Sequence, residues 1–394
     1  MFRKFAGLVF AASLWAGASI AAPQVAVQLS KSSDSHKAEA SYINIDVTNT
    51  GSVTVYVFPT ELPVVGDAPV LLSNVFEVKN ADGQVATYRG AYAKRIVSPD
   101  DFIKLAPGAK LHYEVDVGAN YNVTSGEGTV GYRRLSFYDR PQDSSSDMKP
   151  LGLATSNSIK VWFNPALIDG SRATHASVSP STVTGCGANA GAVTAAYSAA
   201  KQLATNAIQY IGAHTTPIAG DPDGNTVFTP SARSIYWLGQ SEPVQSNDGV
   251  DGRPGHYSYV RIIDTYFGTA NGMPKFTCGC PTGTSPSVAA VAEANFTVVG
   301  ADYSNAEIKL CPKFFTLPLS GTDSQAGTII HEMTHFAISY TWSPSVTYVE
   351  EGTGDYLDGS TYSSAHQVAL NNPTEAVRNA NNYQYFFENI PAKN

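Results

Sequence analysis

Between residues 42 and 57 the sequence YINIDVTNTGSVTVYV sets an apolar side chain at every second position. Ile43, Ile45 and Val47 precede an Asn49–Ser52 turn, and Val53, Val55 and Val57 follow it. Side chains alternate faces along a strand, so this spacing buries one face only as β structure; a helix would scatter the same residues around its axis. The pattern recurs in NVFEVKNADGQVATYRG about Asp82-Gly83, in LAPGAKLHYEVDV after a Pro-Gly turn, in GTVGYRRLSFY and in SIKVWF. Short alternating strands separated by turn signals predict an all-β, immunoglobulin-like sandwich. No cluster of reactive residues occurs in this half; His36 and His112 stand alone and read as surface or packing residues.

After residue 163 the pattern changes. Residues 164–182, NPALIDGSRATHASVSPST, are polar and read as an exposed linker, with Arg172 a candidate cut point. AGAVTAAYSAAKQLATNAIQYIG, from about 190 to 212, reads as an Ala-rich amphipathic helix. SYVRIIDTYFG is apolar but ambiguous, and NFTVVG and EIKLCPKFF read as strands. GTDSQAGTIIHEMTHFAISYTW offers Thr322, Asp323 and Ser324 as N-caps and predicts a helix that runs to Pro344. A chain of 394 residues exceeds one ordinary domain. The division expected is a leader at 1–21, a β-sandwich and linker at 22–175, and an α+β domain at 176–394.

The leader reading rests on Arg3 and Lys4, an apolar stretch from Phe5 to about Ala18, and the small-x-small triplet Ser19-Ile20-Ala21. The stretch is short for a membrane span, and no other segment qualifies, so a secreted, extracellular chain without a span in its mature form is expected. Export permits disulfides among Cys186, Cys278, Cys280 and Cys311; the close spacing of Cys278 and Cys280 favours two long-range bridges. A net charge of −8 argues against nucleic acid as a partner.

HEMTHF, residues 331–336, carries the chemistry. On a helix, residues four apart share a face, so His331 and His335 can present ring nitrogens to one ion, with Glu332 on the adjoining face. This is the arrangement of zinc hydrolases, in which two histidines hold one Zn2+ and the glutamate takes a proton from water. A third ligand is needed, and YVEEGTGDYLDGS offers two carboxylates: Glu351, 16 residues after His335, and Asp355, 20 after it. Spacing does not choose between them.

The second half resembles the deuterolysin family of secreted zinc endopeptidases, the aspzincins, whose HExxH is followed by GTxDxxYG with its aspartate as third ligand. GTDSQAGTIIHEMTHF is similar to the family's helix. GTGDYLDG matches at Gly352, Thr353, Asp355 and Gly359, and NNPTEAVRNANNYQYFFEN resembles the family's C-terminal motif. The resemblance implies a zincin-type catalytic domain, with zinc held by His331, His335 and Asp355 and Glu332 as general base. It further implies Cys186–Cys278 and Cys280–Cys311 bridges and a β-rich propeptide, here the sandwich, ahead of the protease. The partners implied are protein or peptide substrates and the chain's own propeptide, and a monomer is expected.

Three departures matter. The connection from His335 to the GT motif is longer than usual, which keeps Glu351, the ligand of a gluzincin-type site, as an alternative. The family's motif tyrosine, which stabilises the oxyanion, is Asp358 here, and an ionised carboxylate cannot do that work; Tyr348, Tyr356, Tyr362 and His366 are the nearest replacements. That loss also leaves open a non-enzymatic reading, a secreted β-sandwich binding protein with a degenerate zinc site. Finally, the family's acidic lysine-pocket residues are Asn381 and Gln384, which predicts a weak lysine preference.

Overall fold

A computed structural model of the chain describes residues 23–34, 37, 41–64, 70–142, 149–164, 183–245, 254–343, 346–355 and 361–393. The leader, His36, Arg172, Tyr356, Asp358 and Gly359 lie outside these residues.

The first half contains β1 (Val25–Lys31), β2 (Tyr42–Asn49), β3 (Val55–Val57), β4 (Phe76–Lys79), β5 (Ala91–Arg95), β6 (Ile103–Leu105) and β7 (Lys110–Asp116). β8 (Gly126–Tyr132), β9 (Ser136–Tyr138), β10 (Gly152–Leu153), β11 (Thr155–Ser156) and β12 (Ser158–Phe163) complete it. They form sheets ordered β11-β1-β2-β7, β10-β9-β3-β6 and β12-β8-β4. The alternation in β2 does what its period requires: Ile43, Ile45 and Val47 are fully buried. They share one core with Val57, Phe76, Val115, Val130 and Phe163, each worth roughly 1.5–3 kcal/mol on burial.

The second half runs β13 (Val183–Thr184), α1 (Ala190–Ala213), β14 (Thr215–Pro217), β15 (Thr226–Phe228), α2 (Ala232–Leu238), β16 (Val244–Gln245) and α3 (Pro254–Asn271). β17 (Lys275–Cys278), β18 (Val288–Glu293), β19 (Thr297–Val299), β20 (Glu307–Leu310), α4 (Gln325–Thr334), β21 (Ala337–Ser343), β22 (Val346–Glu350), α5 (Tyr362–Asn371) and α6 (Ala380–Glu388) follow. The ambiguous SYVRIIDTYFG is helical, inside α3. α1 packs on α3 and α4, and α4 on α6. Ala196, Ala200, Ala204 and Ala207 are fully buried on one face of α1, where small side chains allow close helix approach. Disulfides Cys186–Cys278 and Cys280–Cys311 tie the start of α1 to β17 and β17 to the segment after β20.

Two features depart from the sequence reading. α4 stops at Thr334 with His335 as its C-cap, and the residues expected to continue it form β21, parallel to β19 and antiparallel to β22. FAISYTW is rich in β-branched and aromatic residues, and pairing on both edges outweighs its weak helical period. The second departure is β5. It lies in the first half of the sequence but completes the second half's sheet, ordered β13-β17-β20-β18-β5. All five of its residues are buried, so no alternation marks it as a strand.

Candidate metal centre

α4 is built to face inward throughout. Its N-cap Ser324 accepts from the Gly327 amide at 2.9 Å and donates to the Glu388 carboxylate at 2.8 Å. Gly327 lies so close to Glu388 that any Cβ there would overlap the carboxylate. A carboxylate at this end is favoured by the unpaired amides and the helix dipole. Burial nonetheless raises the Glu388 pKa to about 7, with the Ser324 amide opposing it.

At the other end of α4, His331, Glu332 and His335 are fully buried. The GTGD segment explains their orientation. Gly352 packs against the His335 backbone, where a Cβ would overlap the carbonyl. Thr353 then donates its amide to the Thr334 carbonyl at 2.8 Å, and the Thr353 and Thr334 hydroxyls pair at 2.7 Å. The Thr353 carbonyl meets Nδ1 of His335 at 2.9 Å, which fixes the ring so that Nε2 faces the cleft. The Gly354 amide and carbonyl bond to Arg378 and Ala380, pinning the loop to the start of α6. Two residues after Thr353, Asp355 Oδ1 stands 3.1 Å from Nε2 of His331 and 3.8 Å from Nε2 of His335.

One ligand atom from each of His331, His335 and Asp355 therefore lies within 4.8 Å of the other two. Both nitrogens of His331, Nε2 of His335, Oδ1 of Asp355 and both oxygens of Glu332 are buried without a hydrogen-bond partner among the described residues. Buried polar atoms are almost always satisfied, so a convergent set of orphans fits a bound cation. Burial holds the His335 pKa down at about 4 and that of His331 well below the usual imidazole value. Both rings are thus neutral near pH 7, the form that ligates a metal. Burial, with Asp355 close by, raises the Glu332 pKa well above the carboxylate range. Burial also raises that of Asp355, against the pull of His335, Lys94 and Arg95.

The other carboxylate candidate, Glu351, has an exposed side chain and does not join this cluster; its backbone carbonyl accepts from Tyr257 at 2.7 Å and from Arg261. Two of the possible tyrosine substitutes, Tyr362 and His366, are engaged elsewhere. Tyr362 packs on Trp237 and Tyr385, and His366 stacks on Tyr236 at 3.5 Å with its Nδ1 on the Tyr236 carbonyl.

Sequence reasoning passed over several residues that shape the site. Buried Arg261 bonds the Phe336 carbonyl at 3.0 Å and faces Glu350 at 3.6 Å, anchoring both chain segments that leave the cluster. Its sequence signal was a lone cation in an apolar run. Asn295 bonds the carbonyl of Tyr88, the amide of Gly352 and, through its own amide, the carbonyl of His335. Tyr92 of β5 stacks on His335, ring centroids 4.6 Å apart. Lys94 of β5 is buried beside Asp323 and Asn381. Nothing in the sequence of β5 singled out Tyr92 or Lys94.

Residues 269–388 match the family model described as lysine-specific metallo-endopeptidase, the aspzincins. An extracellular protease of Aeromonas hydrophila is 28% identical over 361 residues, spanning 89% of each chain. Peptidyl-Lys metalloendopeptidases of Grifola frondosa and Armillaria mellea are 28% and 25% identical, over 88% and 98% of this chain and 87% and 97% of theirs. A solved zinc peptidase from Grifola frondosa aligns with 52% of this chain and 96% of its own at 27% identity, with a TM-score of 0.35. The resemblance read from the HExxH and GTGD segments is borne out by the family and relative matches.

Proposed function

We propose that this chain, a metalloendopeptidase of the aspzincin type, is a secreted zinc endopeptidase made as a zymogen. His331, His335 and Asp355 are its zinc ligands and Glu332 is its general base. The observation that carries this reading is the convergence of two neutral imidazoles and one carboxylate on a single point, each with an orphaned donor atom. Two nitrogens and one oxygen, leaving a position open for water, make the donor set of a catalytic rather than a structural zinc site. The exposed side chain of Glu351 favours Asp355 as the third ligand.

When bound, the ion would act as a Lewis acid and make a coordinated water acidic near neutral pH. Glu332 then has a defined task. Its carboxylate is buried beside the ligands, 4.0 Å from Nε2 of His335, a position from which it can take a proton from water and give it to the leaving amine. Thr353 keeps the His335 ring aimed while this happens. Tyr362 and His366, two of the replacements considered for the family's oxyanion tyrosine, are engaged instead with Trp237 and Tyr385 and with Tyr236.

Residues 22–175 are read as an immunoglobulin-like propeptide, followed by a linker that is cut to release residues 176–394. Secretion is supported by the leader pattern and by the extracellular relative from Aeromonas hydrophila; among the described residues no helix is long and apolar enough to cross a membrane. Substrates are proteins or peptides. Chelation should abolish proteolysis of a casein-type substrate, and Zn2+ should restore it; activity that survives full chelation contradicts the metal mechanism.

A further inference from the structure

Beside the metal cluster the two halves of the chain border a small cavity of about 20 Å³. Thr60, Ser73 and Arg95 line it from the first half, and His331, Asp355 and Asn381 from the second. Thr60, Ser73 and Asp355 also line a cleft of about 840 Å³, so a solute in the cleft lies one side chain away from the cavity.

Arg95 is 5% exposed, and its Nε, Nη1 and Nη2 are all buried without a hydrogen-bond partner among the described residues. The other buried arginines are treated differently. Arg261 bonds the Phe336 carbonyl and faces Glu350, and Arg233 bonds the Phe386 carbonyl and lies over that ring. Asp101 and Asp355 pull on the Arg95 charge from a distance, but neither hydrogen-bonds to it. The Asp101 oxygens accept instead from the Ser285 hydroxyl at 2.7 Å and the Ser98 amide at 3.1 Å. Asp355 turns Oδ1 to His331 and His335, where a bound metal ion would offset its charge. Burial lowers the Arg95 pKa only to about 10, so the guanidinium stays charged near neutral pH.

The backbone holds Arg95 in this position. β5 pairs with β18 as Lys94↔Ala290 and then Arg95↔Val288, which leaves Ala289 as the extra residue of a bulge. Bulges re-aim the side chains beside them. The Ile96 amide then bonds the Ser287 carbonyl at 3.0 Å, so the strand end is fixed on both sides of Arg95.

A buried, unpaired charge is costly unless a partner is supplied. Thr60 Oγ1 is a second buried orphan in the lining. The donors call for an acceptor with negative charge, and the volume decides its size. One water needs roughly 10–15 Å³ on the same measure, so the cavity admits a single-atom anion and is too small for sulfate or phosphate. A water offers two lone pairs and leaves the charge unbalanced; a halide accepts from several donors at once and cancels it.

We propose that this cavity is a halide site, with chloride as its ordinary occupant, held by the Arg95 guanidinium and the Thr60 hydroxyl. Because both halves line the site, the anion binds their closed arrangement and stabilises it by mass action. The site goes beyond the endopeptidase reading and does not depend on it.

The test uses the uncut, full-length chain. Wild type and Arg95→Met are unfolded in urea at constant ionic strength while gluconate is replaced stepwise by bromide. The wild-type midpoint should rise and saturate, and Arg95→Met should need at least about tenfold more bromide for the same rise. A wild-type midpoint indifferent to bromide, or the same dependence in both proteins, would overturn the site. Each titration is repeated with a chelator; a dependence lost on chelation would place the anion on the metal and overturn the site equally. A bromide-soaked crystal of wild type gives a reading independent of the variant. An anomalous peak within hydrogen-bond distance of the Arg95 guanidinium is expected, and a cavity holding water alone would overturn the proposal.

Discussion

Gly352 lies directly against the backbone of His335, and no side chain fits between them. That approach lets the next residue, Thr353, grip the His335 ring and sets Asp355 opposite both histidines. The glycine and threonine of the GTGD segment thus set the geometry of the candidate site without joining its donor cluster. Gly352→Ala should force the loop away from α4. We expect a loss of about 1–3 kcal/mol in stability from overpacking and a 10–100-fold loss of zinc affinity from the disturbed histidine. Competitive zinc titration alongside urea unfolding checks both; unchanged affinity would mean that Asp355 finds its place without Gly352.

Asp355 and Glu351 can be separated directly. Asp355→Ala should weaken zinc binding at least ~100-fold, whereas Glu351→Ala, which removes an exposed carboxylate, should keep close to full occupancy. Metal content after gel filtration reads this out, and the reverse pattern would assign the site to Glu351.

Glu388 gives the chain a pH dependence of known sign. Its pKa rises from 4.5 to about 7 on folding, so the folded state binds more protons across that interval. Its contribution is full below about pH 4.5 and falls as pH rises through about 7, by on the order of 3 kcal/mol. The buried imidazoles, with lowered pKa values, act in the opposite direction, losing stability as pH falls from 6.5 toward about 4. Comparing wild type with Glu388→Gln in chelator-treated protein isolates the Glu388 term. Relative to the variant, wild type should lose stability between about pH 5 and about pH 7.5, as read by urea midpoints; parallel pH profiles would contradict the assignment.

Arg261 is fully buried between the Phe336 carbonyl and Glu350. Removing one partner of a buried pair costs about 3–5 kcal/mol, so Arg261→Met should unfold at markedly lower urea and hold zinc less tightly than wild type. A variant as stable as wild type would mean that the connection between α4 and the GTGD segment needs no cation.

The candidate metal-binding residues were legible because the proposed chemistry demands fixed residue types at fixed spacing. His331, Glu332 and His335 are set by the pitch of one helix, and Gly352, Thr353 and Asp355 by one tight loop. The β2 strand was legible for the same local reason, since one of its faces is buried and the other is not. β5 was not, because all five of its residues are buried, which removes the alternation that marks a strand. α4 was read too long because FAISYTW carries no local stop signal; only the partners β19 and β22 decide its state.

The central claim is that one zinc ion and Glu332 together cleave peptide bonds. The most direct measurement is zinc stoichiometry together with casein-type proteolysis on wild type and Glu332→Gln, each with its linker cut. The account predicts about one zinc per chain in both, proteolysis by wild type, and a rate lower by about 10²–10⁴-fold in the variant. Equal proteolysis by the two proteins, or a wild type that binds zinc and cleaves nothing, would contradict it.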